Sequence, residues 1–219
     1  MRRTVRGLVM GLGLTLLLGA PVAAGTSESR YFERGQHASA SKGFCRSAPG
    51  SGVTKCREFS IDVFAGRRGG TDPATRFSGY EVRVLTSYET VDHVTGRILR
   101  QGFAIGEATN REALRVRFDG LRSASVEGTI RVSETRCDRS GRCEDSRRRV
   151  ALDLEWAAGT EPASKIFIYY RINDGGCEST YTETRRERSA QAVGDVDGRG
   201  MRVHGSLVKT DQHSTQVCQ

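Results

Sequence analysis

Long apolar runs are missing from this chain after residue 20, and no later segment could hold it in a membrane. A charged fraction of 27% beside 37% hydrophobic residues excludes a polytopic membrane protein. Outside the first residues no stretch sustains a helical period, so helix bundles are set aside. There is no Cys-x-x-C, and the four histidines (His37, His93, His204, His213) are scattered, which weighs against a structural zinc site. No Gly-x-Ser-x-Gly elbow occurs, and no glycine-rich loop follows a strand and opens a helix. Nucleotide cofactors are therefore set aside and no cofactor is expected. Proline is scarce at 4 residues, and lysine supplies only 4 of the 34 basic side chains. That arginine bias matches a GC-rich coding bias, and it also matches a surface whose guanidinium forks fit anionic groups.

The opening residues form a recognisable unit. Arg2, Arg3 and Arg6 precede the apolar run from Gly7 to Ala20, and Val22 and Ala24 supply small side chains. A basic start, an apolar core too short to span a bilayer and a small-residue cleavage point read as a secretory signal peptide, residues 1–24, on the general export route. No cysteine stands directly after the run, so a lipoprotein is not expected. Cleavage after Ala24 leaves 195 residues with 31 basic and 26 acidic side chains, a net charge of +5.

Period-two alternation dominates the rest. Phe59, Ile61 and Val63 share one face against Glu58, Ser60 and Asp62. Tyr80, Val82, Val84 and Tyr88 repeat the pattern, as do Leu114, Val116 and Phe118, then Val126, Ile130 and Val132, then Val150, Leu152, Leu154 and Trp156. Each run reads as an antiparallel strand with one wet and one buried face. Gly66–Gly70, Thr95-Gly96, Asp119-Gly120 and Asn173–Gly176 read as turns between them. The expected fold is all-β, an antiparallel β-sandwich of about ten strands preceded by a cleavable signal helix. Residues 25–52, rich in Ser, Ala and Gly, read as a flexible arm or a first edge strand. Residues 53–219 read as the domain proper, with a sub-boundary near residue 110.

Six cysteines (Cys45, Cys56, Cys137, Cys143, Cys177, Cys218) all follow the leader, and an even count in an oxidising compartment implies three disulfides. Cys137 to Cys143 suits a hairpin with a three-residue loop, Arg139 to Gly141, in which Gly141 takes the left-handed conformation and the two cysteines stand opposite each other. Sequence proximity suggests Cys45–Cys56 and Cys177–Cys218 for the rest.

Chemistry is less legible. Ile166–Ile172 is apolar on both faces, which reads first as a central strand covered on both sides. The sharper reading makes Phe167, Tyr169 and Arg171 a stacking platform for a sugar ring or another flat ligand. Asp195-Val196-Asp197-Gly198 resembles the opening of a calcium loop, but it lacks the remaining oxygen ligands and reads as a turn. His204 and Ser206 could serve a hydrolase only if a third group joined them, and nothing singles out a carboxylate pair. The constrained Arg139 prompts the weaker idea of a protease-inhibitor loop. Between Arg131 and Arg149 seven arginines interleave with Glu134, Asp138, Glu144 and Asp145, a solvated strand face and not a nucleic-acid groove.

Val150, Leu152, Leu154, Trp156 and Gly159 form a strand end that resembles one found in exported, β-rich actinobacterial proteins of unassigned function. Those proteins similarly carry a cysteine hairpin before that strand and a basic polar strand after it, here Thr182 to Arg188. The resemblance covers about Val53 to Val208, and Cys177 and Cys218 depart from it. It implies an envelope or secreted location and carries over no catalytic residue. The reading that results is a secreted, disulfide-stapled β-domain acting as a non-catalytic module, with anionic or glycan envelope polymers as partners and no nucleic acid. An extracellular hydrolase acting on glycans or peptides is the alternative.

Overall fold

The computed structural model describes residues 26–47, 50–110 and 114–218, so the expected signal peptide, residues 1–24, lies outside the described residues. Ten strands follow in order: β1 (Ser27–Ser47), β2 (Val53–Gly70), β3 (Phe77–Asp92), β4 (Ile98–Thr109), β5 (Leu114–Asp119), β6 (Ser123–Asp138), β7 (Cys143–Ala158), β8 (Ser164–Asp174), β9 (Cys177–Val196) and β10 (Arg199–Cys218). One 3-10 turn, Pro73–Thr75, is capped by the Asp72 carboxylate, which accepts from the Ala74 amide.

All ten strands belong to one antiparallel sheet, and its path closes. From β1 the ladders run through β2, β3, β4, β6, β7 and β9 to β10, which pairs back along β1. The apolar faces therefore pack against each other as opposite walls of a single sheet. Trp156 on β7 shows this directly. Its ring is fully buried, and its indole N–H donates across the interior to the Ser39 carbonyl on β1, 2.9 Å away.

Two strands break the simple ring. β4 pairs with β6 from Arg100 to Gly106, and β5 takes over the same edge of β6 from Gly128 to Ser123. In the same way β7 covers β9 from Ala190 to Val196, while β8 pairs with β9 from Cys177 to Glu187.

The alternation places the core. Ile61, Val63, Val82, Val84, Val126, Ile130, Val150, Leu152, Leu154, Trp156 and Leu207 fill the interior, with alanines 38, 40, 104, 108, 190 and 192 where the walls come close. Fully burying each branched side chain contributes roughly 1.5–3 kcal/mol. Arg131, Arg149, Asp153 and Glu155 point outward, the reverse of a membrane-spanning barrel with its apolar outer band. Among the described residues no helix is long and apolar enough to cross a membrane.

Four expectations change. Residues 27–47 are neither an arm nor an edge. β1 is hydrogen-bonded on both sides and buries Ala38 and Ala40, small side chains that gave little apolar signal. Gly66–Gly70 is no turn but the end of β2, where Gly35 and Gly66 pair and the Phe64 ring occupies the space their side chains would need. Near residue 110 β4 ends, yet one core cluster draws on strands from both sides of that point. Ile166–Ile172 is no covered strand. It lies in β8, at the end of the sheet path, and every β8 residue is exposed.

The turns follow residue chemistry. Gly175 and Gly176 connect β8 to β9, and Asp197 and Gly198 connect β9 to β10, each pair with positive φ. That is the requirement of a two-residue type I′ hairpin. The Asp195 carboxylate accepts from the Gly198 amide, so the calcium-like tetrapeptide is a turn. All three disulfides join residues that stand directly opposite in a ladder: Cys45–Cys56, Cys137–Cys143 and Cys177–Cys218.

Candidate anion-binding site

At one end of the sheet a concave site of about 390 Å³ forms over β2, β3 and β4, lined by Lys55, Arg57, Tyr88, Thr90, Leu99 and Arg100, with Cys56 and Glu89 behind. Register explains the grouping. Arg57 stands opposite Tyr88, which stands opposite Gly102, while Lys55, Thr90 and Arg100 form the next row on the same face. Between Thr90 and Val91 the β3–β4 register shifts, and Leu99 is the extra residue that bends β4. Gly102 leaves room for an aromatic floor. A β-carbon there would sit 2.6 Å from Tyr88 Cε1, so the Tyr88 ring lies across the glycine.

The charges around that ring are the notable feature. Several arginines elsewhere on the sheet are tied: Glu134 holds both Arg136 (Nε–Oε1 3.0 Å) and Arg148 (Nε–Oε2 3.1 Å), and Arg148 also reaches Asp197 at 2.7 Å. The Arg136 hydrogen bond, opposed by burial and aided by both positive charges, holds the Glu134 carboxyl below its ordinary range. Lys55, Arg57 and Arg100 form no ion pair and no side-chain hydrogen bond among the described residues. Arg136, across Gly102 from Tyr88, adds positive potential although its own bonds are satisfied. Three open cations lining one concavity with an aromatic ring suit a sulfate, phosphate or carboxylate on a flat or ring-shaped ligand, and the volume matches a small-ligand site.

The other candidates fall elsewhere. His204 and Ser206 line a shallower hollow of about 250 Å³ with Ser39, Ser41, Ser60 and Asp62, on the outer faces of β10, β1 and β2. The Ser206 hydroxyl lies 3.0 Å from the Ser39 hydroxyl, and no hydrogen bond joins it to His204 among the described residues. Burial pushes the Asp62 carboxyl above its ordinary range against the pull of Arg83 and His37. The residue types of a triad are gathered here, but the nucleophile–base contact is not made. One carboxylate pair is also drawn together, Glu33 and Glu81, each 2.6 Å from Arg68. Burial would raise Glu33, but the His37 hydrogen bond and Arg68 outweigh it and hold the carboxyl at about 2, so it carries no proton to donate near neutrality.

Comparison with family models, curated proteins and solved structures gives no match.

Phe167, Tyr169 and Arg171 do share one exposed face of β8, with Arg171 bonded to Glu178. Arg139 sits in the exposed loop closed by Cys137–Cys143, where the Asp138 carboxylate accepts from the Ser140 hydroxyl and from the Ser140 and Arg142 amides. Those bonds hold Asp138 down at about 2. Among the described residues no three His, Cys, Asp or Glu side chains are placed to hold a metal ion. Sequence reading missed Lys55, Arg57 and Arg100. The available signal was two cations at i, i+2 on one strand face beside a strand whose Tyr88 continues an apolar alternation.

Proposed function

We propose that the mature chain is an exported, disulfide-stapled β-module that binds anionic glycan polymers of the envelope without catalysing a reaction on them. Three disulfides in an all-β domain support an oxidising, extracellular environment. The observation that carries the binding reading is the set of open cations, Lys55, Arg57 and Arg100, around the Tyr88 ring. An aromatic face with guanidinium groups at its rim holds a sugar ring and its charged substituent together. The hydrolase reading has less support, because Ser206 is engaged by Ser39 and Glu33 is fixed as a carboxylate.

Isothermal titration with short dextran sulfate, and with neutral dextran as control, tests this. Sulfated chains should bind and neutral ones should not. Arg57→Ala and Arg100→Ala should each weaken binding about tenfold or more, the worth of a charge-assisted hydrogen bond. Arg117→Ala, on the outward side of β5, should leave it unchanged. Binding that ignores Arg57 and Arg100, or no binding at all, would remove the proposal.

A further inference from the structure

A free strand edge is normally protected, because its unpaired N–H and C=O groups recruit other strands. The leading half of β7, Cys143–Ala151, lies outside the ladder with β9 and follows that rule, since it carries Glu144, Asp145, Arg147, Arg148 and Arg149. β8 does not. Among the described residues it ends the sheet path, pairs only with β9, and runs for 11 residues with no proline, with Lys165 near one end and its one Arg neutralised by Glu178. Ile166, Ile168, Tyr170 and Ile172 are exposed on one face, and Phe167 (64% exposed) and Tyr169 (59%) on the other. Tyr170 already stacks on Tyr181, centroids 4.8 Å apart, so that face of the strand is held in place. An edge exposed on both faces is not served by a small ligand on one of them.

We infer that β8 pairs antiparallel with β8 of a second copy of this chain, about a two-fold axis at Tyr169. The strand's own sequence selects this occupant and register. Tyr169 is the middle residue of Ser164–Asp174, so this centre pairs the whole strand. Ile166 then faces Ile172 of the second copy and Ile168 faces Tyr170, which makes the middle of one face apolar, with Ser164 against Asp174 at its ends. On the other face Phe167 meets Arg171 of the second copy, a cation over an aromatic ring. Sliding the centre to Ile168 sets Lys165 against Arg171, two like charges. Sliding it to Tyr170 sets Ile166 against Asp174. Joining the two edges covers both copies of this strand and makes the interface isologous.

Sedimentation velocity on the full mature chain at ~1–100 μM tests the pairing. A reversible dimer is expected, with no larger species. Ile168→Lys places two charges near the axis and should raise the dimer dissociation constant at least tenfold, with circular dichroism confirming that the variant folds. Independently, Tyr169→Cys should crosslink two copies at that position under mild oxidation, read by peptide mass spectrometry, while Lys165→Cys should not. A monomer at every concentration would overturn the inference. So would a dimer indifferent to Ile168→Lys, or crosslinking favoured at Lys165→Cys. A monomer whose Tyr169 signals shift with neutral oligosaccharide would instead assign this face to glycan stacking.

Discussion

Two side chains show how the interior and the outer face are held at the level of single residues. Gly205 on β10 lies where Trp156 donates to the Ser39 carbonyl. A β-carbon at Gly205 would collide with that carbonyl oxygen and sit 3.1 Å from the indole nitrogen. Gly205→Ala should therefore destabilise the chain by about 1–3 kcal/mol, read as a lower urea midpoint, because neither backbone nor a buried indole can retreat cheaply. Glu33 makes a different prediction. Its ordinary carboxyl value is 4.5 and its folded value about 2, through His37 and Arg68, the latter 4.1 Å above the Phe64 ring. A depressed carboxyl stabilises the fold fully above about pH 4.5, and the gain is lost as pH falls towards 2, up to about 3 kcal/mol in all. Glu33→Gln should cost most of that at pH 7 and little at pH 2.5, as measured by urea unfolding at both values. Neither role was legible in advance. Gly205 read only as the middle of His-Gly-Ser, and Glu33 lay in a segment whose polarity suggested an arm.

At the scale of strands, what could be read locally and what could not divide along sequence separation. The alternating runs gave the strands, because a two-residue period needs only neighbours to be seen. The Cys137–Cys143 hairpin was readable for the same reason. Its loop, with Gly141 at φ 80° and the Asp138 amide bonded to the Arg142 carbonyl, is set by seven consecutive residues. Closure of the sheet was not readable, since β1 meets β10 across most of the chain. β1 was obscured because its core positions are alanines, and the end of β2 because its glycines make room for Phe64 where turn chemistry would also place glycine. The candidate site suffered likewise, for Arg100 reaches Lys55 only through Thr90 and a bulge. The disulfides turn this contrast into a measurement. On the chain-entropy estimate the ring across a separation of 41, Cys177–Cys218, is worth about 4 kcal/mol, and the ring across 6, Cys137–Cys143, about 2. Replacing each pair by serines should lower unfolding free energy in that order. The first loss should also expose the β9–β10 end to proteolysis, because that bond ties the last residue of β10 to the first of β9.

For the whole molecule, the open cations and the unguarded edge lie on strands that share no ladder. The site is carried by β2, β3 and β4, whereas among the described residues β8 pairs only with β9. Dimerisation would therefore leave both Tyr88 sites open and link them rigidly, since each β8 is continuous with its own sheet. A long anionic polymer could then occupy two sites at once, and the second contact would be intramolecular. A short oligosaccharide gains nothing from the second site. Wild type should accordingly bind long dextran sulfate at least tenfold more tightly, per site, than a fragment filling one site. Ile168→Lys should erase that difference while leaving fragment affinity intact, and Arg57→Ala should weaken both. Titration of the three proteins with both lengths separates the two ideas. Equal affinity for long and short chains in wild type would count against the linked pair of sites. Loss of fragment binding in Ile168→Lys would show that the edge and the cationic site are not independent.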